Sequence, residues 1–268
     1  MKFWKKLSIC NLSLLAGIFG VHMSTLAKAE SALDFKYQDV VGQSLNEENY
    51  QKLVQPVVNP TRYMFMTSGK SLGLLGFDVG VGATFFEFPK EAQDVAKMYI
   101  KEGSEFPSYL AIPRLTLQKG LPFGIDLGVN LAMIPSSELK LLGAAVQYTV
   151  FDGIWPLPKL SLRAGYTAFM GLEELAANAV NFEGVVGFNL MIVEPYGGIG
   201  YSMTNSKSKF KYDDLLGVSR TLELKTDWND TYAILGARLS PIPFLGITGE
   251  VQISSIQTLY TAKLSVTF

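Results

Sequence analysis

The sequence predicts an all-β fold: a closed antiparallel transmembrane β-barrel of about ten strands, with a short helix before it. Three observations predict it. From about residue 75 the chain repeats segments of period two separated by turn residues, and successive side chains of a strand point to opposite faces. Each segment is about as long as the 9–11 residues a tilted strand needs to cross a bilayer. The non-apolar face of each segment is rich in Gly and charge, as a narrow lumen requires. A soluble β-sandwich also alternates, but its polar face would be a wet outer surface and its strands need no fixed length.

The first segment is an address. Lys2, Lys5 and Lys6 precede the apolar run Leu7–Val21, and Ala27-Lys28-Ala29 before Glu30 is a small-x-small cleavage pattern, which together make residues 1–29 a secretory signal peptide. The run is too short for a membrane anchor and Asn11 interrupts it. The only Cys and the only His, Cys10 and His22, lie within it. A chain cut before Glu30 has no disulfide, no Cys nucleophile, no His/Cys metal site and no His-based acid–base pair. Four of the 23 Lys and Arg are also removed, which leaves 19 bases against 24 acids and a net charge of −5. That balance argues against nucleic-acid binding. Later, Asp78, Asp126, Asp152, Glu183 and Glu194 interrupt the richest apolar stretches, so membrane-spanning helices are excluded.

Residues 30–73 form an N-terminal periplasmic segment. In it, Leu45–Val54 follows Ser44, has acids in its first turn and runs into Pro56, which predicts a short amphipathic helix plugging the periplasmic mouth or packing under it. The barrel occupies 74–268. Its first strand sets Phe77, Val79, Val81, Ala83 and Phe85 against Gly76, Asp78, Gly80, Gly82 and Thr84. The others fall near 108–118, 123–134, 140–151, 159–170, 178–191, 195–204, 231–240, 244–254 and 258–268. In 123–134, Ile125, Val129 and Leu131 face lipid and Asn130 faces the lumen. Twelve strands result if Arg62–Thr67 and Leu215–Leu224 also pair. The even count puts the short links Lys119–Pro122, Asp152–Pro158, Ile192–Glu194 and Pro241–Pro243 on the periplasmic side. It puts the two long connections, 88–107 and 205–230, on the outer side. Pro89 opens a helix over Lys90–Lys101 in the first of these, with Val95, Met98 and Tyr99 on one side. Trp155, Trp228, Tyr109, Phe151, Tyr201, Tyr212 and Phe244 lie near strand ends, where aromatic girdles form. The last strand ends in Tyr260, Leu264, Val266 and Phe268 on one face, a pattern that resembles the C-terminal assembly signal of bacterial outer-membrane barrels. Barrel-assembly machinery and outer-membrane lipid are therefore the expected partners of a monomer.

Little in the chain speaks for chemistry. The Gly pairs Gly80/Gly82 and Gly198/Gly200 lack the third Gly, the Lys-Ser/Thr and the strand–helix context of a phosphate loop. Asp213, Asp214, Asp227 and Asp230 match no calcium loop. Asp78, Asp126, Glu183 and Glu250 are matched on the same face by Arg114, Arg163, Arg238 and Lys263, four against four, which predicts a salt-bridged lumen rather than a catalytic carboxylate pair. No cofactor, metal or enzymatic activity is expected.

The run Asn49-Tyr50-Gln51-Lys52-Leu53-Val54-Gln55-Pro56, then Thr67-Ser68-Gly69, then Leu75-Gly76-Phe77-Asp78-Val79 resembles an uncharacterised family of secreted Gram-negative outer-membrane barrels. In that family a short helix with a Tyr-x-x-Pro-like end leads to an Asn/Thr-Ser-Gly turn and a Gly-Phe-Asp strand. Pro113, Gly120-Leu121-Pro122 and Pro156-Leu157-Pro158 before Leu160 are similar too. The resemblance implies the fold and the outer membrane of a Gram-negative bacterium, and brings no ligand. The expected function is a narrow-lumen pore or transporter for small or apolar solutes, its selectivity set by lumen charges. The alternative is a structural or surface-binding barrel acting through 88–107 and 205–230.

Overall fold

The period-two segments become strands that close on themselves. The computed structural model describes residues 47–99, 108–133, 140–153, 157–170, 175–213 and 219–268. Its strands are β1 (Phe77–Glu87), β2 (Tyr109–Gly120), β3 (Ile125–Met133), β4 (Lys140–Asp152) and β5 (Lys159–Met170). They continue with β6 (Leu175–Gly187), β7 (Val193–Asp213), β8 (Ser219–Ile242), β9 (Leu245–Ser254) and β10 (Thr258–Thr267). Each pairs antiparallel with its sequence neighbours, and β1 closes the ring on β10 from Asp78↔Thr267 to Phe86↔Leu259. The described strands number ten, and Arg62–Thr67 is not among them. The signal segment 1–29, with Cys10 and His22, lies outside the described residues.

Closure separates the two faces of every strand. Val79, Leu117, Leu127, Val129, Leu162, Tyr166, Leu235 and Val266 are exposed on the outside, and their neighbours Asp78, Thr116, Asn130, Arg163 and Ser265 are buried within. Val129 is 46% exposed and Asn130 1%, so the expected faces of β3 hold. One rim carries tight links, and Phe123 (φ 64°), Met191 (φ 63°) and Phe244 (φ 72°) take left-handed backbone in three of them. The opposite rim carries the long connections. One of these holds α2, described over Lys90–Tyr99. Ala92, Val95 and Ala96 are its buried side.

Three expectations are corrected. The stretch 205–230 is a hairpin and not a loop, paired from Asn205↔Asp227 through Lys207↔Lys225 to Asp213↔Ser219. Its inner face carries Ser206, Ser208 and Thr226 and its outer face Lys207, Lys209 and Lys225, so no apolar row marks the period. Among the described residues β6 pairs with β7 up to Ser208 and β9 with β8 up to Tyr232, so the hairpin rises above these as an arm.

The helix before the barrel, α1, is described over Glu47–Val58 and continues two residues past Pro56 before an Asn59–Thr61 turn. It lies at the rim of the long connections, packed on α2 and β8, and not at the rim of the short turns. Tyr50 Oη anchors it by hydrogen bonds to Ser208 Oγ and, at 3.2 Å, Ser206 Oγ. Trp228 is the third correction. It is buried against Val58 and Ala177 instead of joining a girdle. Tyr109, Phe151, Tyr201 and Phe244 do face outward, while the side chains of Trp155 and Tyr212 lie outside the described ones.

Candidate functional site

The lumen is filled by the chain itself. From α1 the backbone turns inward, and every residue from Val58 to Gly69 is buried, although nothing after Thr61 is helix or strand before β1. Irregular backbone in a buried place needs polar partners. Inward side chains of the wall supply them. Asn181 Nδ2 donates to Tyr63 O (3.2 Å), Gln118 Nε2 to Phe65 O (2.9 Å) and Arg163 Nη2 to Thr67 O (2.6 Å). Thr149 Oγ1 donates to Gly69 O (3.1 Å), and Gln147 Nε2 to Lys70 O (3.2 Å). Arg114 donates to Pro60 O and, at 3.5 Å, to Arg62 O. Lower still, the Leu72 N–H donates to Asp126 Oδ1 (3.0 Å). The thread thus runs from one rim to the other and enters β1 at the short-turn end.

Its side chains are held as firmly. Arg62 donates through Nε to Gln252 Oε1 (2.9 Å) and through Nη1 to Asn59 Oδ1 (2.8 Å), and its guanidinium lies 3.7 Å over the Tyr232 ring. The same Nη1 pairs with Asp230 Oδ2 at 3.2 Å. Ser68 Oγ donates to Glu194 Oε2. Met64 and Met66 join Phe86, Leu110, Ile112, Leu141 and Leu259 in an apolar layer near the long-connection rim. Gly69 takes φ +83°, where an L side chain is strained, and a Cβ there would lie 2.5 Å from Ser161 Oγ.

The wall is shaped for the thread. Tyr63 lies against Gly128, Gly143 and Gly165 on β3, β4 and β5. A Cβ at these positions would lie 2.1 Å from Tyr63 Oη, 3.0 Å from its Cδ2 and 2.7 Å from its Cβ. Three adjacent strands have given up inward side chains where one ring sits.

All eight lumen charges expected from the sequence are buried inside. Their pairing differs from four against four. Asp78 holds two cations, Lys263 at 2.7 Å and Arg238 at 3.1 Å. Arg163 meets Glu183 at 3.4 Å. Arg114 instead serves the thread's carbonyls and Thr84 Oγ1 (2.9 Å), and Asp126 accepts from Ser71, Leu72 and Gln147. Glu250 accepts from Tyr196 Oη (2.7 Å) and Gln252 Nε2 (2.8 Å). Two further ion pairs, Arg62–Asp230 and Lys159–Glu194 (3.5 Å), come from residues that the sequence reading does not place among the lumen charges. Tyr260, Leu264, Val266 and Phe268 are all exposed on the outer face of β10 and the chain end, and the backbones of Phe268 and Phe77 exchange hydrogen bonds of 2.9 and 3.1 Å. Below the thread, at the short-turn rim, a cleft of ≈ 290 Å³ is lined by Ser68, Lys70, Glu194, Arg238, Phe244 and Phe268 among others. Among the described residues no three of His, Cys, Asp and Glu converge on one point, and no helix is long and apolar enough to cross a membrane.

Solved barrels are similar to this chain at low identity. The KdgM porin in complex with disordered oligogalacturonate is 12% identical, over 72% of this chain and 99% of that one, with a TM-score of 0.36. The outer membrane protease OmpT from Escherichia coli is 11% identical, over 72% and 94%, with a TM-score of 0.39. Ail, the attachment invasion locus protein of Yersinia pestis, is 11% identical, over 72% and 98%, with a TM-score of 0.30. No curated protein sequence matches the chain. Residues 98–268, which include every strand from β2 to β10, match the model of a family of unknown function, and the chain belongs to that family, DUF6588.

Proposed function

We propose that the protein is an outer-membrane barrel held shut by its own N-terminal segment, and that displacing this segment opens a narrow path for small or apolar solutes. The observation that carries the reading is the glycine wall behind Tyr63. A barrel of about eight strands can be filled by its own inward side chains. Here part of that volume is given to a thread covalently joined to the wall only through β1, so its departure leaves space lined by Gly128, Gly143, Gly165 and the lumen charges. The outward apolar rows supply a lipid-facing belt, and the exposed face of β10 ending in Phe268 is the surface that assembly machinery reads under this proposal. The long-connection rim then faces outward from the cell.

The full chain should be silent in planar bilayers, because the apolar layer around Met64 and the cluster of Val58, Ala177 and Trp228 close the outer end. A chain lacking residues 47–72 that still shows heat-modifiable migration should give discrete, ohmic steps. Large steady steps from the full chain contradict the closed state. Silence from the folded deletion chain rejects the gated path and favours a structural or surface-binding barrel, with the β7–β8 arm as its reach.

A further inference from the structure

We infer that the solute taking the thread's place is a long-chain carboxylate, its head held by Arg114 and its alkyl chain by the apolar layer around Met64 and Met66. The inference rests on the gated path proposed above and names the solute for it.

The wall's inward cations differ in what holds them. Arg163 pairs with Glu183, Arg238 and Lys263 with Asp78, and Lys159 with Glu194, all from wall to wall, so these pairs outlast the departure of the thread. Arg114 on β2 is buried as deeply, yet among the described residues it meets no carboxylate. Its Nη1 and Nη2 donate to the carbonyl oxygens of Arg62 and Pro60, and only Nε reaches the wall, at Thr84 Oγ1 (2.9 Å). Two thread oxygens on the two arms of one guanidinium stand where the two oxygens of a carboxylate would. Without the thread Arg114 is a buried cation with no counter-charge, a costly state unless an anion follows. Asp230, which loses Arg62 at the same moment, is on β8, four strands round the ring from β2. Glu250 is engaged by Tyr196 and Gln252.

The register supplies the tail. From Arg114 towards the long-connection rim the next inward residues of β2 are Ile112 and Leu110, which pair with Thr84 and Phe86 of β1. Thr84 and Phe86 pair in turn with Thr261 and Leu259 of β10. Ile112, Leu110, Phe86 and Leu259 belong to the apolar layer, which the thread fills with Met64 and Met66, both wholly buried. Methionine is unbranched and flexible, so the volume that two of them vacate suits an alkyl chain. At the layer's lower edge Thr84 and Thr261 direct their hydroxyls at the Met64 sulfur (3.5 and 3.3 Å), a weak acceptor. A carboxylate oxygen there is a stronger one. Cation and hydroxyls below, apolar layer above: the order along the barrel is that of a head and its chain.

The test photolabels the full chain in phosphatidylcholine vesicles with decanoate carrying a diazirine near its tail end, and with the matching decanol. Labelled residues are located by mass spectrometry. In the unmodified chain the carboxylate should label Leu110, Ile112 or Leu141 at least about 10-fold more than the alcohol does, the scale of one charge-assisted hydrogen bond. Arg114→Met should abolish that ratio, and Arg114→Lys, which keeps the charge, should keep part of it. If Arg114 only fastened the thread, Arg114→Met would admit both probes more readily at an unchanged ratio, which overturns the inference. Equal labelling by the two probes in the unmodified chain overturns it too, as does carboxylate labelling confined to the outward Leu115 and Leu117; neither result needs a variant to fold. Conductance steps from the folded chain lacking residues 47–72, with no preference for the carboxylate, reject the carboxylate and leave the gated path. Silence from that chain rejects the path itself.

Discussion

Asp78→Ala is expected to cost about 3–5 kcal/mol of barrel stability, the scale for breaking a buried ion pair by removing one partner. Asp78 sits on β1, one residue from the start of the strand, and faces inward across the seam to β10. It accepts from Lys263 Nζ at 2.7 Å, from Arg238 Nη1 at 3.1 Å and from Thr267 Oγ1 at 2.7 Å. Removing the carboxylate leaves two cations inside, and the Lys263 side chain is wholly shielded from solvent. Replacing Asp78 and Lys263 together by Leu strands one cation, Arg238, instead of two, and should cost less than Asp78→Ala alone. Unfolding from lipid vesicles in urea measures both. A loss within about 0.5 kcal/mol of zero for Asp78→Ala, the range of ordinary surface changes, would show that the seam does not depend on this cluster.

The second large effect concerns depth. β3 runs from Ile125 to Met133 with Val129 at its middle and 46% exposed. If the outer face meets lipid, Val129→Arg should cost about 2–4 kcal/mol and Ile125→Arg, beside the short-turn rim, about 0–1 kcal/mol. Leu131→Arg should fall between them. The same vesicle unfolding experiment reads all three. Equal losses at Ile125, Val129 and Leu131 would contradict a bilayer around this strand. A burial argument alone gives no such trend, because the wall outside Val129 has no second sheet against it.

The strands were legible because each has one face for an apolar surrounding and one for a narrow interior. That pattern predicts about ten strands, with twelve as the other even count, and puts Asp78, Arg163 and Glu183 on the inward side. The arm was not legible for a physical reason: Ser206 and Ser208 inside and Lys207 and Lys209 outside are both polar, so period two carries no hydropathy signal. The thread was not legible because an irregular segment has no period at all. It did leave a mark. Tyr63-Met64-Phe65-Met66 is an apolar run outside any strand, and such a run must be buried somewhere. The inward glycines Gly128, Gly143 and Gly165 belong to the Gly-rich face that the alternation predicts, and they mark where another backbone and ring come close. The four-against-four charge count failed for the same reason, since Arg114 and Asp126 answer the thread and not each other's side of the wall.

Because residues 58–76 pass through the ring and α1 sits at the far rim, the order of assembly is constrained. A helix is about 10–12 Å across with its side chains, and the inward Arg114, Arg163 and Tyr232 of a closed wall stand in its way. Ring closure is therefore expected around the thread, with the β1–β10 seam zipped last and α1 already delivered to its side. Trp228, which rests on Val58, reports that delivery. In a refolding time course its fluorescence should reach the native value before or together with the heat-modifiable form. A ring that closed first, with Trp228 changing afterwards, would mean that the thread enters a finished barrel.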